Sequence, residues 1–303
     1  MTIEGGTKPR GFWATAADGT VLPVLVLVFG LLVLWYVGAF FLNRAVVLTL
    51  MGPDAHPAFG DLLKATWNSE RPLLPAPHQI LLELQKTILD VAPTSRRSLV
   101  FHAEVTLTTT VLGFAIGSIG GIVLAVGIVH LRVLQKALMP WIIASQTVPI
   151  LAIAPIVVVV LGNIGIIGTL PKALISAYLC FFPVTIGMVK GLTSPDGMLL
   201  DLMRTYHAST AKIFWKLRWP ASVPYLFISL KVAIAISLVG AIVAELPTGA
   251  QAGLGARLLA GSYYGQTVQI WAALIAAATV AALAVFAVGV VEGVTRTLMG
   301  ARR

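Results

Sequence analysis

Six stretches of this chain are each apolar over nearly the length needed to cross a hydrocarbon core, and that removes most folds from consideration. A spanning helix needs about 20 apolar residues, and only helices or closed barrels satisfy every backbone group in lipid. The stretches cover residues 21–42, 106–129, 137–161, 171–189, 223–246 and 268–291. Charged residues make up 11% of the 303-residue chain and apolar ones 58%, whereas soluble proteins carry about 25% charged residues. The expected fold class is an all-α membrane protein with six transmembrane helices.

The first stretch follows Lys8 and Arg10. It exceeds the roughly 7–15 apolar residues of a signal peptide and leads into no small-residue cleavage site, so it reads as an uncleaved anchor. Residues 1–105 then form one spanning helix plus a long extracytoplasmic segment. Residues 106–292 form a core of five spans with a loop at 190–222, and 293–303 form a tail.

The net charge of +9 does not point to nucleic acid, because the cations are not clustered with stacking aromatics. It points to orientation. With the N-terminus inside, Arg132, Lys136, Lys190, Arg204, Lys212, Lys216, Arg218, Arg296, Arg302 and Arg303 share its side, and the short outer loops keep only Lys172 and Arg257. That is the asymmetry of the positive-inside rule, so both termini are expected in the cytoplasm.

In the outer segment, "MGPDAHPAFG" and "RPLLPAPHQ" predict loops. Ile80, Leu84, Ile88 and Val91 recur at helical spacing and predict a short helix along the outer membrane face. Gly113, Gly117 and Gly121, four apart, predict a helix face that another helix approaches closely. The single cysteine, Cys180, allows no internal disulfide and reads as a small packing residue. His56, His78, His102 and His130 lack ligand spacing, so no metal site is expected.

Polar residues inside spans are weighed singly. Lys231 and Glu245 lie fourteen positions apart, roughly 21 Å along a helix, too far to pair. Lys231 sits near the inner end and is expected to snorkel. Ser145, Gln146 and Thr147 either make cross-helix hydrogen bonds or line a path. Tyr263, Tyr264 and Trp271 fit an outer aromatic belt.

The stretch "DLMRTYHASTAKIFWKLRWP", residues 201–220, interrupts this pattern. Ser194 suits a helix N-cap, Pro195 the first helical position and Asp196 the first turn. Leu202, Met203, Tyr206, Ile213, Phe214 and Leu217 recur at roughly helical intervals with the cations largely elsewhere. "HAS" breaks the period, Ser209 is placed to cap a second short helix, and Pro220 and Pro224 open the next span. By composition the stretch is an amphipathic helix, resting on the inner leaflet or docking on a partner.

Here the chain resembles the permease subunits of ABC importers, whose cytoplasmic EAA loop follows E-A-A-x3-G-x9-I-x-L-P. Asp201, Leu202, Met203, His207, Leu217, Trp219 and Pro220 stand at those positions, with histidine in place of the turn glycine. From "LPAPHQILLEL" through "QTVP" at Gln146, Thr147 and Pro149 to "AGLGARLLAG", the order of segments over about 74–292 is similar to the nitrate, taurine and sulfonate type.

The resemblance implies a type I importer permease forming the path for a small polar or anionic solute. Its partners would be two ABC ATPase subunits, a second permease chain, identical or homologous, and an extracytoplasmic binding protein, in a bacterial inner membrane. The coupling residues would be Asp201, Leu202, Met203, Tyr206, His207, Ala208, Ser209, Ile213, Phe214, Leu217 and Pro220. Ser145, Gln146, Thr147 and Glu245 are the path candidates, and the family's frequent acid near Glu245 implies a structural or gating role there. No G-x4-G-K-[ST] phosphate loop occurs in the sequence, so ATP and Mg would be bound by the partner ATPase and the chain itself would not be an enzyme. A secondary transporter or channel acting without an ATPase is the alternative. Such proteins carry paired intramembrane charges or repeated halves, and neither is read in this sequence. An intramembrane enzyme would need a nucleophile and base within the spans.

Overall fold

The computed structural model describes residues 21–52, 57–246 and 250–300. Lys8, Arg10, His56, Arg302 and Arg303, weighed above, lie outside them. The described residues form helices and connecting turns, with no strand among them. In order these are α1 (Val21–Met51), α2 (Phe59–Trp67), α3 (Pro77–Ile88), α4 (Leu99–His130), α5 (Arg132–Ser145), α6 (Ile150–Asn163), α7 (Thr169–Leu192), α8 (Gly197–Thr205), α9 (Thr210–Ile213), α10 (Trp219–Glu245), α11 (Leu254–Tyr263) and α12 (Thr267–Leu298). Five helical segments cross by length and hydropathy, and a sixth span exists if α5 and α6 count as one. The chain divides into two units, residues 1–83 with 265–271, and 84–264 with 272–303.

In the first unit a helix, α2, lies between the two expected loops and overlaps the first only at Phe59 and Gly60, and residues 71–76 of the second form a packed connection. Asn43 of α1 is fully buried. Its amide donates to the carbonyls of Thr66 (3.1 Å) and Leu74 (2.8 Å), and its Oδ1 accepts from the amides of Leu73 and Leu74. A fully satisfied buried amide fixes the backbone around it. Trp35 Nε1 donates to Pro75 O at 3.1 Å, and its ring lies 4.9 Å from that of Trp271. Tyr36 meets Trp67 edge-on at 5.1 Å. Tyr263 and Tyr264, in the other unit, are exposed.

In the second unit, α4, α7 and α10 pack through small residues. A Cβ at Gly113 would lie 2.5 Å from Ser176 Cβ, one at Gly117 would overlap Cys180 Sγ, and one at Gly121 would stand 2.8 Å from Phe181 O. Farther along α7, Gly187 and Gly191 admit Ser229 and Ser222 of α10. With no hydrophobic drive between helices in lipid, close backbone approach supplies the packing energy. A polar node ties the three together. Ser176 Oγ bonds Ser237 O at 2.6 Å, and Ser237 Oγ donates to Thr110 O at 2.9 Å. Cys180 is fully buried beside Gly113 O.

The expected continuous span over 137–161 is corrected. α5 and α6 meet at a bend of 103° across Gln146–Pro149. Pro149 precedes α6 with φ −69° and ψ 110°, an extended residue whose missing N–H and effect on Val148 stop α5 from continuing. Lys231, expected to snorkel, is 38% exposed at its side chain and has a partner that the sequence did not indicate. Its Nζ pairs with Glu292 at 2.5 Å, and Arg296 pairs with the other carboxylate oxygen at 2.5 Å. Paired charge within spanning helices is therefore present, between α10 and α12.

Candidate functional site

The stretch 194–220 folds as two short helices around a tight turn. Asp196 caps α8 by accepting from the Met198 amide at 3.4 Å, so the helix begins two residues later than the Ser194 cap predicts. Ser194 precedes Pro195 and is kept from helical backbone; its hydroxyl turns back to Gly191 O at 2.8 Å. Helix α8 buries none of its residues. Met198, Leu199, Leu202 and Tyr206 are all exposed, Met198 and Tyr206 by 77% and 78%. Met198, Leu202 and Tyr206, at i, i+4 and i+8, with Leu199 three before Leu202, make one apolar stripe. Asp201 and Arg204 pair at 3.0 Å on the exposed surface. Met198 and Leu199 were missed from sequence, although their spacing from Leu202 places them on its face.

The turn is a Schellman motif. The Ala208 amide bonds Met203 O at 3.0 Å and the His207 amide bonds Arg204 O at 2.8 Å, the paired closure that requires a left-handed residue between them. That residue is His207, with φ 52°, the one non-glycine with positive φ among the described residues. Ser209 then caps α9 by accepting from the Lys212 amide at 3.4 Å. From Phe214 the chain widens into a π turn, in which the Trp219 amide reaches Phe214 O. Pro220 follows, lacks a donor and would press on the carbonyl four residues back, which the wider turn relieves.

The predicted coupling residues therefore separate. Leu202 and Tyr206 face outward, whereas Met203, Ile213 and Leu217 are half-buried. Phe214 points into the bundle, packing with Trp219 against the core that holds Met188 and Leu192. Its ring lies 5.3 Å from that of His130 at the end of α4. One part of the loop offers a surface and the other fixes that surface to the spans.

The predicted path residues separate too. Ser145, Gln146 and Thr147 occupy the bend between α5 and α6, with Gln146 and Thr147 exposed. The hydroxyls of Ser145 and Thr147 donate to Ile142 O and Ala144 O within their own turn, at 2.7 Å each, rather than across helices. The cross-helix bond instead uses the backbone, Tyr178 Oη donating to Ser145 O at 2.6 Å. Glu245 is fully buried elsewhere. Its carboxylate accepts from Thr106 Oγ1 at 2.9 Å and from the Gly255 amide at 2.8 Å. Thr106 Oγ1 in turn accepts from the Leu254 amide at 2.8 Å, and His102 Nδ1 accepts from the Gly253 amide at 3.1 Å. Three successive backbone donors that open α11 are thus taken by side chains of α4 and α10, as a helix start requires.

The family profile described as "Binding-protein-dependent transport system inner membrane component" matches residues 117–298, more than half of the chain. A probable ABC transporter permease protein of Haemophilus influenzae is 31% identical over 174 residues, 57% of this chain and 69% of that protein. The formylaminopyrimidine transport permease protein ThiX of Halalkalibacterium halodurans is 32% identical over 184 residues, 60% and 68% of the two chains. A putative aliphatic sulfonates transport permease protein, SsuC of Bacillus subtilis, is 26% identical over 211 residues, 70% and 72%. With its all-helical bundle, its spans and this match from α4 through α12, the chain belongs to the family of inner membrane components of binding-protein-dependent transport systems, the permeases of ABC importers.

Proposed function

We propose that this permease is driven through α8 by a cytoplasmic ATPase. The observation that carries the reading is the exposed stripe Met198, Leu199 and Leu202, continued by the cap residue Tyr206, on a helix that buries none of its own residues. Beyond the Schellman turn, Phe214 and Trp219 seat the same loop against α4, α7 and α10. A push on the stripe reaches the spans through that second contact. Two ATPase subunits, binding ATP and Mg, engage the loops of two permease chains, and residues 190–222 and both termini lie in the cytoplasm, as the lysine and arginine asymmetry supports. An extracytoplasmic binding protein delivers the solute to the opposite face. The solute is a small polar or anionic molecule, a class supported by relatives named for formylaminopyrimidine and aliphatic sulfonates. Affinity purification of the tagged chain from native membranes in mild detergent tests this: an ABC ATPase copurifies, and reconstituted uptake requires ATP. A chain that purifies alone and transports without ATP contradicts it.

A further inference from the structure

Helix α12 is held to its unit near its two ends. Ala273 and Ala277 pack with Leu99 and Leu254 at one end, and Glu292 takes Lys231 at the other. Between Ala277 and Glu292 no residue of α12 is buried. There the helix borders a half-open crevice of about 460 Å³ against α4 and α10, lined among others by Val111, Phe114, Leu230, Ile234, Ala284 and Val288. All its lining side chains are apolar and belong to spanning helices.

Water gains nothing in such a space, because it finds no polar partner. The lining positions 280 and 291 on α12 are roughly 16 Å apart along the axis, and the apolar space between them takes an extended hydrocarbon chain lengthwise.

The end of the crevice is charged. Glu292, 9% exposed at its side chain, joins Lys231 and Arg296, which are 38% and 52% exposed. Gly289 gives the lysine stem room, since a Cβ there would meet Lys231 Cε at 3.7 Å. Two cations against one carboxylate leave one positive charge, and a guanidinium with five donors is not exhausted by one partner. Beyond it Arg296 borders a second hollow of about 450 Å³ with Pro220, Val223, Pro224, Met299 and Gly300. Apolar crevice, net cation and open hollow follow one another along α12, in the order tail, charge and headgroup. We infer that this is a site for an anionic phospholipid, in the leaflet on the side of residues 190–222, with one acyl chain against α12 and its phosphate on Arg296 and Lys231.

Native mass spectrometry of the purified full chain in a non-ionic detergent tests it, titrated with phosphatidylglycerol or phosphatidylcholine of identical acyl chains. The wild type retains phosphatidylglycerol roughly fivefold better. Arg296→Gln, which leaves Glu292 paired with Lys231, loses that preference, and Arg296→Lys keeps it. Ala284→Trp, filling the crevice, lowers retention of both lipids. Equal retention by the wild type, or a preference that survives Arg296→Gln, overturns the site. So does unchanged retention by Ala284→Trp, which would leave the crevice uninvolved. Displacement by glycerol phosphate at equal concentration would mean a free phosphate site. Disulfide cross-linking of two chains through Ala284→Cys would mean that a second copy lies there.

Discussion

Glu245 and Thr106, 139 residues apart in sequence, share a hydrogen bond of 2.9 Å in the buried space where α10 and α4 meet the start of α11. Because Thr106 also accepts from Leu254 and Glu245 from Gly255, the pair holds the start of α11 against α4 and α10. Glu245→Ala strips partners from a hydroxyl and an amide that remain buried, each costing about 1–3 kcal/mol. The expected result is a clearly lower melting temperature in detergent, with Glu245→Gln, which keeps one acceptor, in between. Equal melting of Glu245→Ala and wild type would remove the network from the structural argument.

Gly117 offers a second test, of packing rather than hydrogen bonding. A side chain there meets Cys180 Sγ and, at 2.6 Å, the backbone carbonyl of Ala177, and backbone cannot move aside cheaply. Gly117→Leu separates α4 from α7, while insertion, set by hydropathy and flanking charge, continues. Membrane fractions should contain the variant at near-normal amounts, and detergent extraction should yield aggregate. Gly120, with open space around its Cβ position, serves as the control, and Gly120→Leu behaves as wild type.

The contrast between these glycines shows what is legible in sequence. A four-residue glycine period identifies a contact face because helical geometry alone dictates it, and Gly113, Gly117 and Gly121 all lie on that face. The bend at 146–149 is not legible, because hydropathy records composition and not direction. Pro149 cannot be singled out from sequence either, since Pro140 and Pro155 sit inside α5 and α6 without ending them. Lys231 and Glu292 are distant in sequence, and no periodicity joins them. In the loop, helix, break and second cap follow from local residues, but which apolar groups face outward depends on the seat that Phe214 finds against α7 and α10.

His207 sits where the loop tolerates little. A left-handed conformation costs an L-residue about 1–2 kcal/mol, and glycine escapes that cost. His207→Gly should slow hydrogen exchange at the Ala208 amide and preserve transport. His207→Val, with a β-branched side chain at positive φ, should speed exchange and reduce transport. Indistinguishable exchange in the two variants would mean that the Schellman turn does not depend on this residue.

Ala208 closes the same turn and is half-buried. Glutamate there introduces bulk and charge beside the docking stripe, so Ala208→Glu should abolish ATP-dependent uptake and weaken copurification of the ATPase while the spans still insert. Full uptake with the ATPase retained would remove this turn from the coupling surface.

The most direct measurement places a photo-reactive amino acid at Leu202, 51% exposed on α8, in the complex purified from native membranes. Irradiation should yield a covalent adduct between this chain and an ABC ATPase subunit, with a yield that changes on adding ATP and Mg. Adducts to lipid alone, with the ATPase unlabelled in either nucleotide condition, would contradict the assignment of α8 as the coupling helix.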